Sequence, residues 1–142
     1  LKKIKIIKKF LKVKKQDKLL DVGCGTGLTT EPWSCKRYGI DPSKKLLEKA
    51  KKKDKNIIYK LASVEKIPFK NNFFDIVISI TAIQNFTDME KGIKEIKRVG
   101  KDRFVLTFLK KIKKKKFIDK VIRKNFKIKK RIEEEKDFIY IV

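Results

Sequence analysis

A chain of 142 residues is long enough to bury a real core and short enough to be one domain. Hydrophobic and charged residues each make up 41%, which excludes a disordered chain, and no apolar run reaches the ~18–20 residues that a membrane span requires. The formal charge of +24 speaks against an acidic surface, and the absence of His removes every Ser-His or Cys-His dyad.

In chain order, Ile4, Ile7, Phe10 and Leu11 share one side of a helix expected over residues 4–13, with lysines opposite. LKKIKIIKKFLKVKK is too short and too basic for a signal peptide, and without an initiator Met the N-terminus is expected to be truncated. A strand, Leu19–Val22, runs into closely spaced glycines, followed by the short irregular segment TTEPWSCKR and a second strand ending YGID. Pro42 and Ser43 open a helix whose Leu46, Leu47 and Ala50 should face inward. NIIYKLA reads as a third strand, VEKIPFKNN as a loop, and FFDIVISI as a buried parallel strand. Met89, Ile93, Ile96 and Val99 mark a helix stopped by Gly100. RFVLTFL is a fifth strand and Ile112 to Phe126 a basic amphipathic helix. FKIKKRIEEE and KDFIYIV are two strands joined by a tight turn.

Alternating strands and helices imply an α/β fold with a mostly parallel sheet. The last two strands are too close for a crossover and should form an antiparallel hairpin at one edge. No repeat or linker interrupts residues 1–142, so a single domain is expected. The two cysteines, Cys24 and Cys35, are too few for a structural zinc site without His, so no metal is expected; a reducing, cytoplasmic compartment is.

The glycine turn carries the most specific signal. LLDVGCGTG places Gly23, Gly25 and Gly27 at alternate positions directly after a strand, where bare backbone can approach a ligand. A strand ending in such a turn and facing a helix N-terminus is a nucleotide site. The spacing is not G-x-G-x-x-G, the dinucleotide fingerprint. With Asp21 ahead of it, it resembles motif I of the class I S-adenosylmethionine-dependent methyltransferases, D-x-G-C-G-T-G. EKIPFKNNFFDIVIS resembles that family's E-x-L-P-F…F-D-x-V-x-S block, and the match lies closest to the methyltransferase type 11 group.

The resemblance implies a Rossmann-like fold: a seven-stranded, mostly parallel sheet with helices on both faces and an antiparallel C-terminal hairpin. It implies S-adenosylmethionine (SAM) as cofactor. Asp21 would orient the glycine loop and approach the methionine amino group, with Gly23, Gly25 and Gly27 along the methionine and ribose. Asp41, ending the second strand, would take both ribose hydroxyls, since a carboxylate accepts two hydrogen bonds side by side. Pro42 and Ser43 would lie beside the adenine, and Ser79 would close the site at the end of the fourth strand. Relatives often carry an acid followed by Ala before the E-x-L-P-F block; here Ser63 and Val64 stand there, and serine brings no charge to the adenine. Glu65 reads as a loop charge, and Trp33 and Tyr38 as core aromatics.

Methyl transfer from a sulfonium is an in-line displacement that needs chiefly alignment, worth ~7–11 kcal/mol. The acceptor should sit after the fourth strand, where Thr81, Gln84 and Asn85 are the positioning candidates; no strong general base is evident, so an acceptor already ionised fits best. N-P-P-Y and D-P-P-Y are absent, which sets aside adenine-amine and glutamine targets. Three readings stay open: an RNA methyltransferase, tRNA included, held through Lys-rich faces; a small-molecule methyltransferase; and a SAM-binding subunit without catalysis. Of 41 basic residues 36 are Lys, which suits phosphate contacts and equally suits AT-rich coding or thermophily. The resemblance also implies a small zinc-binding activator protein as partner.

Overall fold

A computed structural model describes residues 1–142. Its sheet has seven strands: β1 (Lys18–Val22), β2 (Lys36–Asp41), β3 (Ile58–Leu61), β4 (Phe74–Ser79), β5 (Gly100–Leu109), β6 (Lys130–Glu133) and β7 (Asp137–Ile141). Their order is β3-β2-β1-β4-β5-β7-β6. β1 to β5 pair in parallel, whereas β7 runs antiparallel to both neighbours. The order reverses between β1 and β4, the topological switch point of an open α/β sheet.

The two faces carry different helices. α3 (Met89–Val99) and α4 (Lys115–Asn125) cover one, burying Ile93, Ile96, Ile118 and Ile122 against Leu20, Val22, Val77 and Leu106. α1 (Lys2–Phe10) covers the other, with Ile4 and Ile7 on Leu19, Ile76, Ile78 and Val105. α2 (Lys44–Lys53) packs Leu47 and Ala50 beside Tyr59 and Cys24. No helix is long and apolar enough to cross a membrane.

Between β1 and β2 the chain makes only turns, as expected of the irregular segment TTEPWSCKR. Eight residues separate Gly27 from β2, and Pro32 sits among them, too few for a helix and its return. Trp33 fills the space instead. It is 3% exposed, packs in the α1 cluster, and donates its Nε1–H to the Thr29 carbonyl at 2.9 Å.

Other limits also shift. α1 ends at Phe10 rather than residue 13, because Leu11 turns extended; Phe10 is exposed, with the Lys130 ammonium over its ring. α4 starts at Lys115 rather than Ile112, where a lysine run without a side-chain cap opposes helix initiation. Leu47 and Ala50 point inward as expected, but Leu46 is 37% exposed and lines a cavity.

Candidate functional site

The switch point opens into a cavity of about 380 Å³ at the carboxyl ends of β1, β2 and β4. Gly23, Gly25, Asp41 and Pro42 form one wall, Ser63, Val64 and Glu65 a second, and Thr81 and Asn85 a third. Asp21, Gly27, Ser43, Ser79 and Gln84 are not among the residues that line the cavity.

Local chemistry explains the first wall. Gly23 has φ +78°, and a Cβ there would stand 2.7 Å from the Ala82 Cβ, so the loop passes the β4 exit only as glycine. Gly25 has φ +55° and open space where its Cβ would be. Its N–H donates to Asp41 Oδ2 at 2.9 Å, and the Ser43 N–H donates to Oδ1 at 2.9 Å. Asp41, 7% exposed, therefore ties the glycine loop to the start of α2. Each oxygen keeps a lone pair for a further donor. Ser43 serves as the α2 N-cap, accepting from the Leu46 N–H.

Asp21 supports the loop from beneath. Its Oδ2 accepts the hydroxyls of Thr29 and Thr30, each at 2.7 Å, while Oδ1 is buried without a partner. Burial pushes the carboxyl up to about 6, against the two threonine hydrogen bonds, and the nearby Asp41 adds to the rise. Gly27 packs against the Tyr59 hydroxyl. Ser79 donates to the Val22 carbonyl at 3.0 Å, joining β4 to β1. Burial pushes the Cys24 thiol well above its usual range, so it is no nucleophile at neutral pH.

The second wall is held from α3. Arg98 donates to the Ile67 and Phe69 carbonyls, each at 2.9 Å, and Glu95 accepts the Ile67 N–H. Glu65, expected to be a loop charge, lines the cavity. It accepts the Ser63 hydroxyl and, at 3.0 Å, the Asp88 N–H. Burial works to raise its carboxyl, but these hydrogen bonds outweigh it and hold the group below its usual range. Ser63, its donor engaged, presents only oxygen lone pairs.

The third wall holds a polar network that sequence reasoning missed. Thr81 has φ +53°, an outlier for a β-branched residue. Its hydroxyl accepts from Lys3 Nζ at 2.7 Å and donates to Asp137 Oδ2 at 2.6 Å. Thr107 donates to the same oxygen at 2.9 Å and accepts the Thr81 N–H at 2.7 Å, while Lys3 lies 3.3 Å from Asp137 Oδ1. Asp137 is fully buried. Gln84 props the loop by donating to the Thr81 carbonyl at 3.0 Å. Nothing local in the sequence announces Asp137 or Lys3.

SAM fits this donor set. Asp41 offers paired acceptors for a diol at a loop stripped of Cβ atoms, and Leu46, Ala62 and Val64 give an apolar wall for a ring beside the Ser63 oxygen. The methyltransferase domain family matches residues 20–108. The ubiquinone biosynthesis O-methyltransferase of Pelagibacter ubique is 38% identical over 114 residues, covering 71% of this chain and 47% of that protein. The chain spans less than half the length of the curated relatives it matches. Among solved structures, the PH0226 protein of Pyrococcus horikoshii superposes with a TM-score of 0.84 at 20% identity, covering 97% of this chain and 85% of that one. A methyltransferase of Haloferax volcanii, in complex with the activator Trm112, superposes with a TM-score of 0.67 at 21% identity over 74% of this chain and 50% of that one. With most of its sheet and all three cavity walls inside the matched segment, the chain belongs to the methyltransferase domain family.

Proposed function

We propose that this domain is a SAM-dependent methyltransferase acting on RNA, with tRNA the favoured class. One observation carries the cofactor half: Asp41 and Gly25, joined by a hydrogen bond, face one cavity with Thr81 and Asn85. Bound SAM supplies a methyl group on a positive sulfonium. Gly23, Gly25 and Asp41 would hold its methionine and ribose, and Pro42, Ser63 and Val64 its adenine. Thr81 and Asn85 would place the acceptor. The Thr81 hydroxyl gives an acceptor that keeps its proton a path to the Asp137 carboxylate, so an ionised acceptor is not required. The RNA half rests on the charge of +24.

A small-molecule acceptor is the second reading, favoured by a cavity of modest volume and by the quinone-pathway relative. A small zinc-binding activator is a further proposal. The Trm112-bound relative supports it, as do Ile58 and Leu61, both more than half exposed on the edge strand β3.

Tritiated SAM offered with total RNA and, separately, with a small-molecule extract separates these readings. Label in RNA supports the proposal, and label only in the extract supports the second reading. S-adenosylhomocysteine (SAH) binding with no transfer to either, activator present or absent, leaves a SAM-binding subunit without catalysis.

A further inference from the structure

We propose that the lysine run before α4 and the first turn of that helix form a docking surface for single-stranded RNA, with Phe117 as the platform for one unpaired base. This rests on the RNA reading above and gives it a location. Residues 113–117 are all exposed, and Phe117 is 47% exposed. Lys113, Lys114, Lys115 and Lys116 make no ion pair, whereas Lys110 pairs with Glu133 at 3.3 Å and Lys124 with Glu90 at 3.1 Å. Four neighbouring ammonium groups at the positive end of a helix with no acid in its first turn work against the helix, and a row of phosphates relieves that repulsion.

Phe117 decides the kind of polyanion. Lys120 stands one helical turn after Phe117 and the capping residue Lys114 one turn before it, so the ring sits between cations. An aromatic face framed by lysines is how sequence-tolerant single-strand binders hold a base and its flanking phosphates. An anionic bilayer fits less well. α4 already buries Ile118, Val121 and Ile122 in the protein, which leaves one ring rather than an apolar face to insert. The surface is also correctly placed. It follows β5 at the carboxyl edge of the sheet, beside β4, whose exit carries Thr81 and Asn85.

The test is anisotropy of a short fluorescein-labelled single-stranded RNA across a salt series. Lys113, Lys114, Lys115 and Lys116 are replaced by Gln in one variant; Lys14, Lys15, Lys36 and Lys55, exposed at the opposite edge, are replaced in another. Phe117→Ala, Phe117→Leu and Phe117→Trp complete the set, with SAH calorimetry as the folding control. The α4 quadruple variant should flatten the plot of log affinity against log salt by about 0.7 for each phosphate it no longer neutralises, and the opposite-edge variant should leave it unchanged. Phe117→Ala and Phe117→Leu should bind about fivefold to a hundredfold more weakly at the same slope, with Phe117→Trp restoring affinity. Equal losses from both quadruple variants, or no effect of Phe117, overturn this surface while the RNA reading stands. No RNA binding by the unmodified chain overturns both. Phe117-dependent binding to phosphatidylglycerol vesicles with none to RNA assigns the patch to a membrane and overturns the proposal as well.

Discussion

Asp21→Asn isolates the electrostatic cost of the loop's support. The Asp21 carboxyl, ordinarily near 3.8, stands at about 6 in the folded chain because it is wholly buried with one oxygen unpartnered. The folded state therefore binds this proton more tightly than the unfolded state does. Its contribution is fully present only well below pH 3.8 and is lost as pH rises through about 6. At ~1.4 kcal/mol per unit, the ionised form costs roughly 3 kcal/mol at pH 7.5. Asn keeps an oxygen for the Thr29 and Thr30 hydroxyls and removes the titration. Other carboxyls work in the opposite direction. Hydrogen bonding to Arg103 holds Asp17 below its usual range, and the Lys18 amide does the same for Asp75, so raw stability against pH mixes the two. The difference between the two proteins does not. Urea unfolding at constant ionic strength, read from the single, buried Trp33, should show the variant gaining roughly 2.5 kcal/mol on the unmodified chain between pH 4 and 7.5. A difference that stays flat across that window refutes the burial argument.

The cavity walls give two more tests. Asp137→Ala strands Lys3, Thr81 and Thr107 without their shared acceptor and should cost ~3–5 kcal/mol in urea unfolding; a loss below ~1 kcal/mol would mean that water replaces the carboxylate readily. Gly23→Ala places a Cβ against Ala82 at φ +78° and should cost ~1–3 kcal/mol of stability. The same variant should weaken SAH binding by calorimetry, and unchanged affinity would place the glycine loop away from the ligand.

What was legible in the sequence was local or periodic. β1, the glycine turn and Asp41 lie within one short run whose spacing fixes which backbone is bare. β4 and β5 announce themselves as apolar runs, and the hairpin by its short connection. The Lys3–Thr81–Asp137 network was hidden because it joins the first helix, the β4 exit and the last strand, and only the antiparallel register of β7 against β5 brings them together. Glu65 was misjudged for a related reason. Its role depends on the Asp88 amide, which arrives from the start of α3. The irregular path of TTEPWSCKR was visible, but the packing of its Trp33 into the α1 cluster was not.

The central claim is a SAM site built on Asp41, and calorimetry of SAM, SAH and NAD on the unmodified chain and on Asp41→Ala tests it directly. SAM and SAH should bind in the micromolar range and NAD poorly. Asp41→Ala removes the carboxylate that anchors the Gly25 and Ser43 amides and faces the cavity, and should cost ~1.5–3 kcal/mol of SAH affinity, about tenfold to a hundredfold, with Trp33 fluorescence confirming the fold. NAD binding more tightly than SAH, or SAH affinity unchanged in a folded Asp41→Ala, would contradict the account.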